Sequence, residues 1–184
     1  MQIWTNVGLF LLALAAMEVV AYVGHRWVMH GFLWSLHKSH HEPRRGIFEA
    51  NDWFAVMGAL PAMVLIIWGS LNGFGAAYWI GMGITAYGAI YFGFHDILVH
   101  RRVRHGWNPG SVYLKRIVQA HRLHHVVESR EGTVSFGFLI APTVRVLKAE
   151  LEANGRGRIR SSAKMRAEMD ANIDRVDDGE HWAR

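Results

Sequence analysis

Residues 53–94 read WFAVMGALPAMVLIIWGSLNGFGAAYWIGMGITAYGAIYFGF, a run of 42 residues with neither a formal charge nor a histidine. A membrane-spanning helix needs about 20 mostly apolar residues, so this run is too long for one span and long enough for two. The tetrapeptide SLNG at 70–73 has the residue types of a turn. The sequence therefore predicts an antiparallel hairpin of two spans, at 54–69 and 74–94, with a kink at Pro61 in the first.

Another apolar segment precedes this hairpin. Residues 7–23 are apolar except for Glu18, and they lack the basic flank of a cleavable signal peptide, so we expect a retained span. The chain of 184 residues is 51% hydrophobic and 19% charged, with a net charge of +5. All 20 Lys and Arg residues lie within 26–45 or 101–184, so charges and apolar spans are segregated along the chain.

The distribution of Lys and Arg predicts the orientation of these spans, because basic residues are enriched in cytoplasmic segments. The N-terminus and the turn at 70–73 contain none, whereas 26–52 and the chain after residue 95 contain all of them. We therefore expect an all-α, multi-pass protein of the inner (cytoplasmic) membrane with three transmembrane helices. Both basic blocks then lie on the cytoplasmic side.

Two segments remain near the C-terminus. The apolar stretch 134–147 is short for a span and is interrupted by Pro142 and Arg145, so we expect an interfacial or re-entrant fourth segment. Residues 148–184 are highly charged and predict a solvated tail. The expected organisation is a membrane-embedded catalytic domain at 1–147 and a charged tail at 148–184.

All 12 histidines lie at 25–41 or 95–181, within or directly before the two basic blocks, and ten of them follow one pattern. Each block carries HxxxxH followed by HxxHH, so the same spacing of five histidines occurs twice. In HxxHH, positions i, i+3 and i+4 share one face of an α-helix. In HxxxxH, the two positions lie about 140° apart on such a helix, which requires a helix end, a local bulge, or ligation of two different metals. The ten residues are His25, His30, His37, His40, His41, His95, His100, His121, His124 and His125.

This repeated pattern indicates a metal site, because clustered imidazoles without a metal repel one another when protonated. The chain has no cysteine, which excludes thiolate zinc sites and Fe–S clusters. A structural zinc takes four ligands, so ten histidines indicate two metals with four or five nitrogens each. Five-coordinate sites with an open position suit iron and oxygen chemistry better than tetrahedral zinc.

Carboxylates near the motifs are candidates for orienting the imidazoles through their second ring nitrogen. Asp96, adjacent to His95, is the first of these, although a charge at a helix end is an equally good interpretation. The others are Glu42, Glu49, Asp52, Glu128 and Glu131. His105 and His181 fall outside the repeated pattern, and we interpret them as ordinary surface residues.

The motifs resemble those of the fatty acid hydroxylase superfamily of integral-membrane di-iron enzymes. The fuller strings HRWVMHG, LHKSHHEPR, FEANDWFAV, FGFHDILVHRR, QAHRLHH and EGTVSFGFLIAP are most similar to its bacterial carotene hydroxylases. The similarity covers about residues 5–148. It implies that the ten histidines bind two Fe²⁺ ions that activate O₂, and it implies no metal-binding role for the last of these strings.

The resemblance also implies a substrate and a reductant. The substrate would be β-carotene entering from the bilayer, hydroxylated at C3 of each β-ionone ring to β-cryptoxanthin and then zeaxanthin; some members also accept 4-keto carotenoids. The electrons would come from an external donor of the reduced ferredoxin type. A basic patch suits an acidic donor, and it suits anchoring to anionic membrane lipids at least as well. Its residues are Arg101, Arg102, Arg104, Lys115 and Arg116.

A glycine-rich motif in the hairpin has a different interpretation. Residues 81–86, GMGITA, match GxGxxA, but they lie within an uncharged span and not after a strand, so they do not predict a dinucleotide site. Together with Gly75, Gly88 and Gly93, they predict close helix packing, with the lining of a narrow carotenoid channel as the alternative.

Other functions fit parts of the sequence. A related membrane hydroxylase or desaturase acting on fatty acyl, sterol or alkane substrates would share the metal ligands. A haem protein or metal transporter would place ligands within the spans, where Glu18 alone is ionisable. A zinc hydrolase would need a general base, and the chain has no HExxH motif. Nucleic acid is not an expected partner, because the cations flank apolar spans.

Overall fold

The structure, a computed structural model, describes residues 2–42, 46–103 and 105–154. The regular elements within these ranges are all helical, as predicted. The α-helices are Gln2–Val23 (α1), Trp34–His41 (α2), Trp53–Leu71 (α3), Ala76–Tyr91 (α4), Val112–His124 (α5) and Val144–Asn154 (α6). Two π-helical segments, Gly24–Phe32 and Phe92–Val99, continue α1 and α4, and a short 3-10 helix, Ala50–Asp52, leads into α3.

Two helices have the length and composition of membrane spans, and they coincide with the first two predicted spans. They are Gln2–Phe32, which combines α1 with the first π-helical segment, and Ala50–Leu71, which contains α3. Their apolar side chains are largely exposed: Val64, for example, is 61% exposed. Such an exposed apolar surface is what a lipid-facing helix needs. The third predicted span forms α4 and the start of the second π-helical segment, and its crossing of the membrane stays a prediction.

The predicted hairpin between α3 and α4 is present. Helix α3 contains Pro61 and ends at Leu71. Gly73 follows with a positive φ of 81°, a conformation that glycine adopts without steric cost. The N–H of Phe74 then donates a 2.7 Å hydrogen bond to the Gly69 carbonyl and so satisfies one of the last carbonyls of α3. The turn therefore lies where the sequence predicted it.

Glycines let α4 pack closely against α1 on one side and α3 on the other. A Cβ added at Gly83 would lie 2.5 Å from the Phe10 carbonyl oxygen of α1, and one added at Gly81 would lie 2.9 Å from the Ala62 carbonyl oxygen of α3. The predicted close packing is confirmed at these two positions. It is wrong for Gly75, Gly88 and Gly93, where an added Cβ would meet nothing within 4 Å.

This difference gives a matched pair of substitutions. We expect Gly83→Ala to reduce the free energy of unfolding by about 1–3 kcal/mol, because the new methyl group would overlap a helix backbone that cannot move locally. We expect Gly88→Ala to leave stability unchanged or to raise it by up to about 1 kcal/mol, since alanine favours the helix. Thermal unfolding in detergent checks both values. Equal melting temperatures for the two variants would contradict the packing.

The segment 134–147, predicted as one interfacial or re-entrant element, is part irregular backbone and part helix. Residues 126–141 have an irregular backbone, and we call them the strap; α6 follows from Val144. Leu147 and Leu151 of α6 are buried in a core that includes Val127 and Val134 of the strap. The proposed domain boundary after residue 147 thus falls inside α6, and the division into domain and tail stays a prediction. Residues 155–184, including His181, lie outside the described residues.

Candidate metal centre

The HxxxxH motifs lie on the two π-helical segments. Backbone hydrogen bonds of a π-helix join residues i and i+5, so these residues fall on the same face. The 2.9 Å bond from the His100 N–H to the His95 carbonyl is of this kind. The ring centroids are 4.6 Å apart for His95 and His100, and 5.2 Å apart for His25 and His30. Both motifs therefore contain the local bulge that was one of the three geometries predicted for this spacing.

The HxxHH motifs lie at the C-terminal ends of α2 and α5. Their first and last histidines, at i and i+4, point the same way, with ring centroids 5.0 Å apart for His37 and His41 and 4.7 Å apart for His121 and His125. The helix spacing therefore brings these pairs together as predicted.

The middle histidine of each HxxHH motif contacts the histidines of the opposite half of the chain. The Nε2 atom of His40 lies 3.1 Å from that of His95, and the Nε2 atom of His124 lies 3.2 Å from that of His30. Each half therefore contributes one imidazole to the group formed mainly by the other half. This exchange joins the two halves of the chain at the site.

The ten histidines form two groups. Cluster A consists of His25, His30, His37, His41 and His124, and cluster B of His40, His95, His100, His121 and His125. In each cluster, four members offer ring nitrogens that all lie within 4.8 Å of one another: His25, His30, His37 and His124 in A, and His40, His95, His100 and His121 in B. The fifth members adjoin them, since the Nε2 atoms are 3.2 Å apart for His41 and His124, and 2.9 Å apart for His125 and His121.

The second ring nitrogens determine what the Nε2 atoms can bind. In His30 and His124, Nδ1 lies 3.0 Å and 2.9 Å from the carbonyl oxygens of Arg130 and Val134. A carbonyl only accepts, so each Nδ1 carries the hydrogen and each Nε2 of the neutral ring presents a lone pair. These two lone pairs face each other at 3.2 Å. That arrangement is repulsive unless a cation lies between them, so the donor set fits a bound metal.

The spacing of the nitrogens fits a metal with five or six ligands. The nearest Nε2 atoms within the clusters are 2.9 to 3.2 Å apart. With metal–nitrogen bonds of about 2.1 Å, two ligands at 90° are about 3.0 Å apart, whereas tetrahedral ligands are about 3.4 Å apart. Imidazole nitrogen is a good ligand for iron, copper, nickel and zinc. Iron is therefore compatible with the residues present.

Burial favours the neutral, metal-binding form of His37, His121 and His124. The His37 residue is 2% exposed, and burial lowers its pKa to about 3, against the opposing effect of its hydrogen bond to Asn51. Burial, followed by repulsion from neighbouring histidines, also lowers the pKa of His121 and of His124 well below the usual range.

The strap orients cluster A. Four members donate their Nδ1 hydrogens to strap carbonyls: His25 to Phe136 at 3.0 Å, His30 to Arg130 at 3.0 Å, His41 to Val127 at 3.0 Å and His124 to Val134 at 2.9 Å. The fifth, His37, donates to the amide oxygen of Asn51 at 2.7 Å. Sequence reasoning gave the strap string EGTVSFGFLIAP no part in the site, because backbone carbonyls have no side-chain signature. It also missed Asn51, for which the sequence offers only an asparagine beside the motifs.

Glu18, the single acidic residue of the first predicted span, holds the strap in place. Its side chain is buried, and its Oε1 atom accepts hydrogen bonds of 2.8, 2.8 and 3.0 Å from the backbone N–H groups of residues 138–140. Its Oε2 atom accepts a 2.8 Å bond from the Tyr87 hydroxyl of α4. Glu18 therefore connects α1 and α4 to the segment that orients cluster A.

Carboxylates adjoin cluster B. Glu49 accepts from His40 Nδ1 at 3.2 Å, and Asp96 lies 3.4 Å from His95 Nδ1. Asp96 also forms a 2.7 Å ion pair with Arg102. The structure thus places Asp96 and Glu49 where the sequence suggested orienting carboxylates.

The structure also locates the remaining candidate carboxylates. Glu42 forms a 3.2 Å ion pair with Lys38, Asp52 pairs with Arg102, and the Glu131 residue is exposed. Glu128 is half-buried. Beyond the repeated motifs, His105 is half-buried and its Nε2 lies 2.9 Å from the Ile97 carbonyl.

Comparison with known proteins identifies the relatives of this chain. Residues 10–143 match the family model described as fatty acid hydroxylase. A beta-carotene hydroxylase of Pantoea ananas is 46% identical over 169 residues, covering 92% of each chain. A beta-carotene hydroxylase of Pseudescherichia vulneris is 49% identical over 162 residues, covering 88% of this chain and 92% of the other.

A more distant relative is the chloroplastic beta-carotene 3-hydroxylase 2 of Arabidopsis thaliana, 41% identical over 141 residues, which cover 73% of this chain and 46% of the plant protein. No solved structure matches the chain significantly. The family match extends over both histidine blocks and the whole strap, and the bacterial similarities extend over nearly the whole chain. The chain therefore belongs to the fatty acid hydroxylase family.

Proposed function

We propose that the chain is a β-carotene 3-hydroxylase, a membrane monooxygenase that converts β-carotene through β-cryptoxanthin to zeaxanthin. The 4-keto carotenoids are the second substrates to test. The observation that carries this proposal is the convergence of ten buried or half-buried histidines, with facing Nε2 atoms, in a chain 46% identical to a named beta-carotene hydroxylase along 92% of its length. The family supplies the reaction type and the relatives supply the substrate class.

We infer that each cluster binds one iron ion, so that all ten histidines are ligands. Two ferrous ions held there would supply the reductive activation of O₂ that oxidation of an unactivated ring C–H bond requires. The protein's own contribution is to fix seven of the ten ligands in their metal-binding tautomer. Strap carbonyls and Asn51 do this for cluster A, and Glu49 and Asp96 do it for His40 and His95 of cluster B.

The proposed membrane arrangement has three spans, α1, α3 and α4, in the inner membrane. Glu18 contacts Tyr87 near the C-terminal ends of α1 and α4, and the His37 ring lies 6.3 Å from Phe54 at the start of α3. These contacts put the clusters at one common end of the three helices. The enrichment of Lys and Arg on that side supports a cytoplasmic location. A carotenoid dissolved in the bilayer would reach the metal centre without crossing water.

The electrons would come from a reduced donor of the ferredoxin type. Arg102 does not belong to an exposed docking patch as expected, because its side chain is 14% exposed and pairs with Asp96 and Asp52. The half-buried Arg116 has its guanidinium 5.8 Å from the Tyr113 ring centroid, and Arg104 lies outside the described residues. Lys115 on α5 is exposed and becomes the cation to test.

We expect Lys115→Glu to raise the KM for reduced ferredoxin by roughly tenfold at low ionic strength and by less at high salt, since an exposed charge acts through steering. Lys38→Gln, which removes an exposed charge on α2 paired with Glu42, serves as the control and is expected to change KM little. Steady-state turnover with ferredoxin and its reductase measures both. An unchanged KM for Lys115→Glu would argue for lipid anchoring instead.

The proposed function is tested by expressing the chain aerobically in bacteria that accumulate β-carotene. Chromatography with mass detection should find products heavier by one and two oxygens that co-elute with β-cryptoxanthin and zeaxanthin. They should be absent from a His121→Ala control present in membranes at the same level. If the wild-type chain leaves both β-carotene and 4-keto carotenoids unchanged, the carotenoid assignment fails, and fatty acyl, sterol and alkane substrates come next.

A further inference from the structure

The hydrogen-bond acceptors behind the two histidine clusters differ in charge. In cluster A every member donates Nδ1–H to a neutral oxygen, either a strap carbonyl or the Asn51 amide. In cluster B, His40 donates to the Glu49 carboxylate at 3.2 Å, and His95 lies 3.4 Å from the Asp96 carboxylate. The two clusters are thus similar in their ligands and unlike in the groups behind them.

Arg102 fixes the carboxylates behind cluster B. Its Nε lies 2.7 Å from Asp96 Oδ1, and its guanidinium contacts Asp52 at 3.0 Å and Glu49 at 3.6 Å. The Glu49 and Asp96 side chains are only 10% and 12% exposed. Arg102 thus holds both carboxylates in place in a partly desolvated setting, where a carboxylate charge acts strongly on a nearby cation.

An anionic acceptor affects the metal in two ways. A carboxylate that accepts from Nδ1–H makes the opposite nitrogen of the ring more basic and a stronger ligand. Its negative charge also favours a bound cation directly, and favours it more as the charge of that cation rises. A neutral carbonyl orients the ring equally well but has a weaker effect on ligand strength.

We propose that the two metal positions are inequivalent: cluster B takes up its metal first and binds it more tightly than cluster A. This inference rests on the proposed function, because it takes each cluster to be one metal site. It assigns Glu49 and Asp96 as positioning residues that set this difference through His40 and His95.

Titration of the metal-stripped, full-length protein with Co²⁺ in lipid nanodiscs tests the proposal. Equilibrium dialysis gives the two dissociation constants, and we expect them to differ by at least about tenfold. Repulsion between two dications would also separate the steps, so substitutions must identify them. His100→Ala should remove the tighter step and His25→Ala the weaker one.

Two isosteric changes test the cause. The double variant Glu49→Gln, Asp96→Asn should weaken the tighter step by about 10- to 100-fold and leave the weaker step within about twofold. Asn51→Asp should have the opposite effect and lower the weaker of the two Co²⁺ dissociation constants, because it places a carboxylate behind His37 of cluster A. The second variant keeps the test decisive if the first fails to fold, as judged by size-exclusion chromatography.

The possible results distinguish a failure of the inequivalence from a failure of the proposed function. Two sites of equal affinity would overturn the inequivalence while leaving the proposed function standing. The inequivalence would also be overturned if neither variant changed its Co²⁺ affinity. That means an unchanged tighter dissociation constant in Glu49→Gln, Asp96→Asn and an unchanged weaker one in Asn51→Asp. Absence of any Co²⁺ binding by folded protein would overturn the proposed function together with the inference.

Discussion

Replacing His124 with alanine is expected to abolish carotenoid hydroxylation, with a loss of at least about 100-fold relative to the wild-type chain. His124 is fully buried, and its Nε2 lies 3.2 Å from the Nε2 atoms of both His30 and His41. It is the one member of cluster A contributed by the second half of the chain. Its removal would therefore open the metal site and also remove one of the contacts that join the two halves.

Two readouts check this prediction: the zeaxanthin formed in carotene-accumulating cells and the iron bound per purified chain. We expect His124→Ala to lose product and to lose at least one of its two iron ions. His105→Ala is the matched control, because His105 lies outside both clusters and contacts the Ile97 carbonyl. Normal product from His124→Ala, at equal protein levels, would contradict the assignment of cluster A.

Glu18→Ala is expected to have the second largest effect, because it would release the strap. The backbone N–H groups of the buried Phe138, the half-buried Leu139 and the exposed Ile140 would lose their shared acceptor. Each such loss costs about 1–3 kcal/mol, so we expect the free energy of unfolding to fall by at least about 3 kcal/mol. The Phe136 carbonyl, two residues before this anchor, would no longer be held against His25, and bound iron should fall with it.

Tyr87→Phe provides a graded control for this prediction. It removes only the hydroxyl that donates a 2.8 Å hydrogen bond to Glu18 Oε2, and it leaves the hydrogen bonds from the strap to Oε1 in place. We expect a loss of about 0.5–1.5 kcal/mol and retained iron. Thermal unfolding and metal analysis of both variants measure the contrast. A Glu18→Ala protein with wild-type stability and two iron ions would show that the strap is held by other contacts.

Much of this fold could be predicted, because lipid imposes strong constraints on sequence. The uncharged run at 53–94 can only be helical if it enters a bilayer, and its SLNG turn ends α3 where expected. Close packing at Gly81 and Gly83 could be predicted from small residues in apolar helices. The failure at Gly88 and Gly93 shows that a small residue does not reveal which face of a helix meets a neighbour.

The histidine spacing predicted the site but not how its members are divided. A regular α-helix could not place His25 beside His30. The structure does so with π-helical segments, the local bulge that was one of three geometries the spacing allowed. Nor could spacing show that His40 and His124 join the opposite groups, because this depends on how the two halves pack. The tautomers of cluster A depend mainly on backbone carbonyls, which every residue possesses.

If the ten histidines form two iron sites, the iron content of catalytically active protein will show it. The chain should be purified from iron-supplied cells in detergent that preserves hydroxylation, and its iron should be measured by mass spectrometry against protein determined by amino-acid analysis. We expect two iron ions per chain, with turnover falling in proportion as iron is removed. Full turnover with one iron ion per chain, or with none, would contradict it.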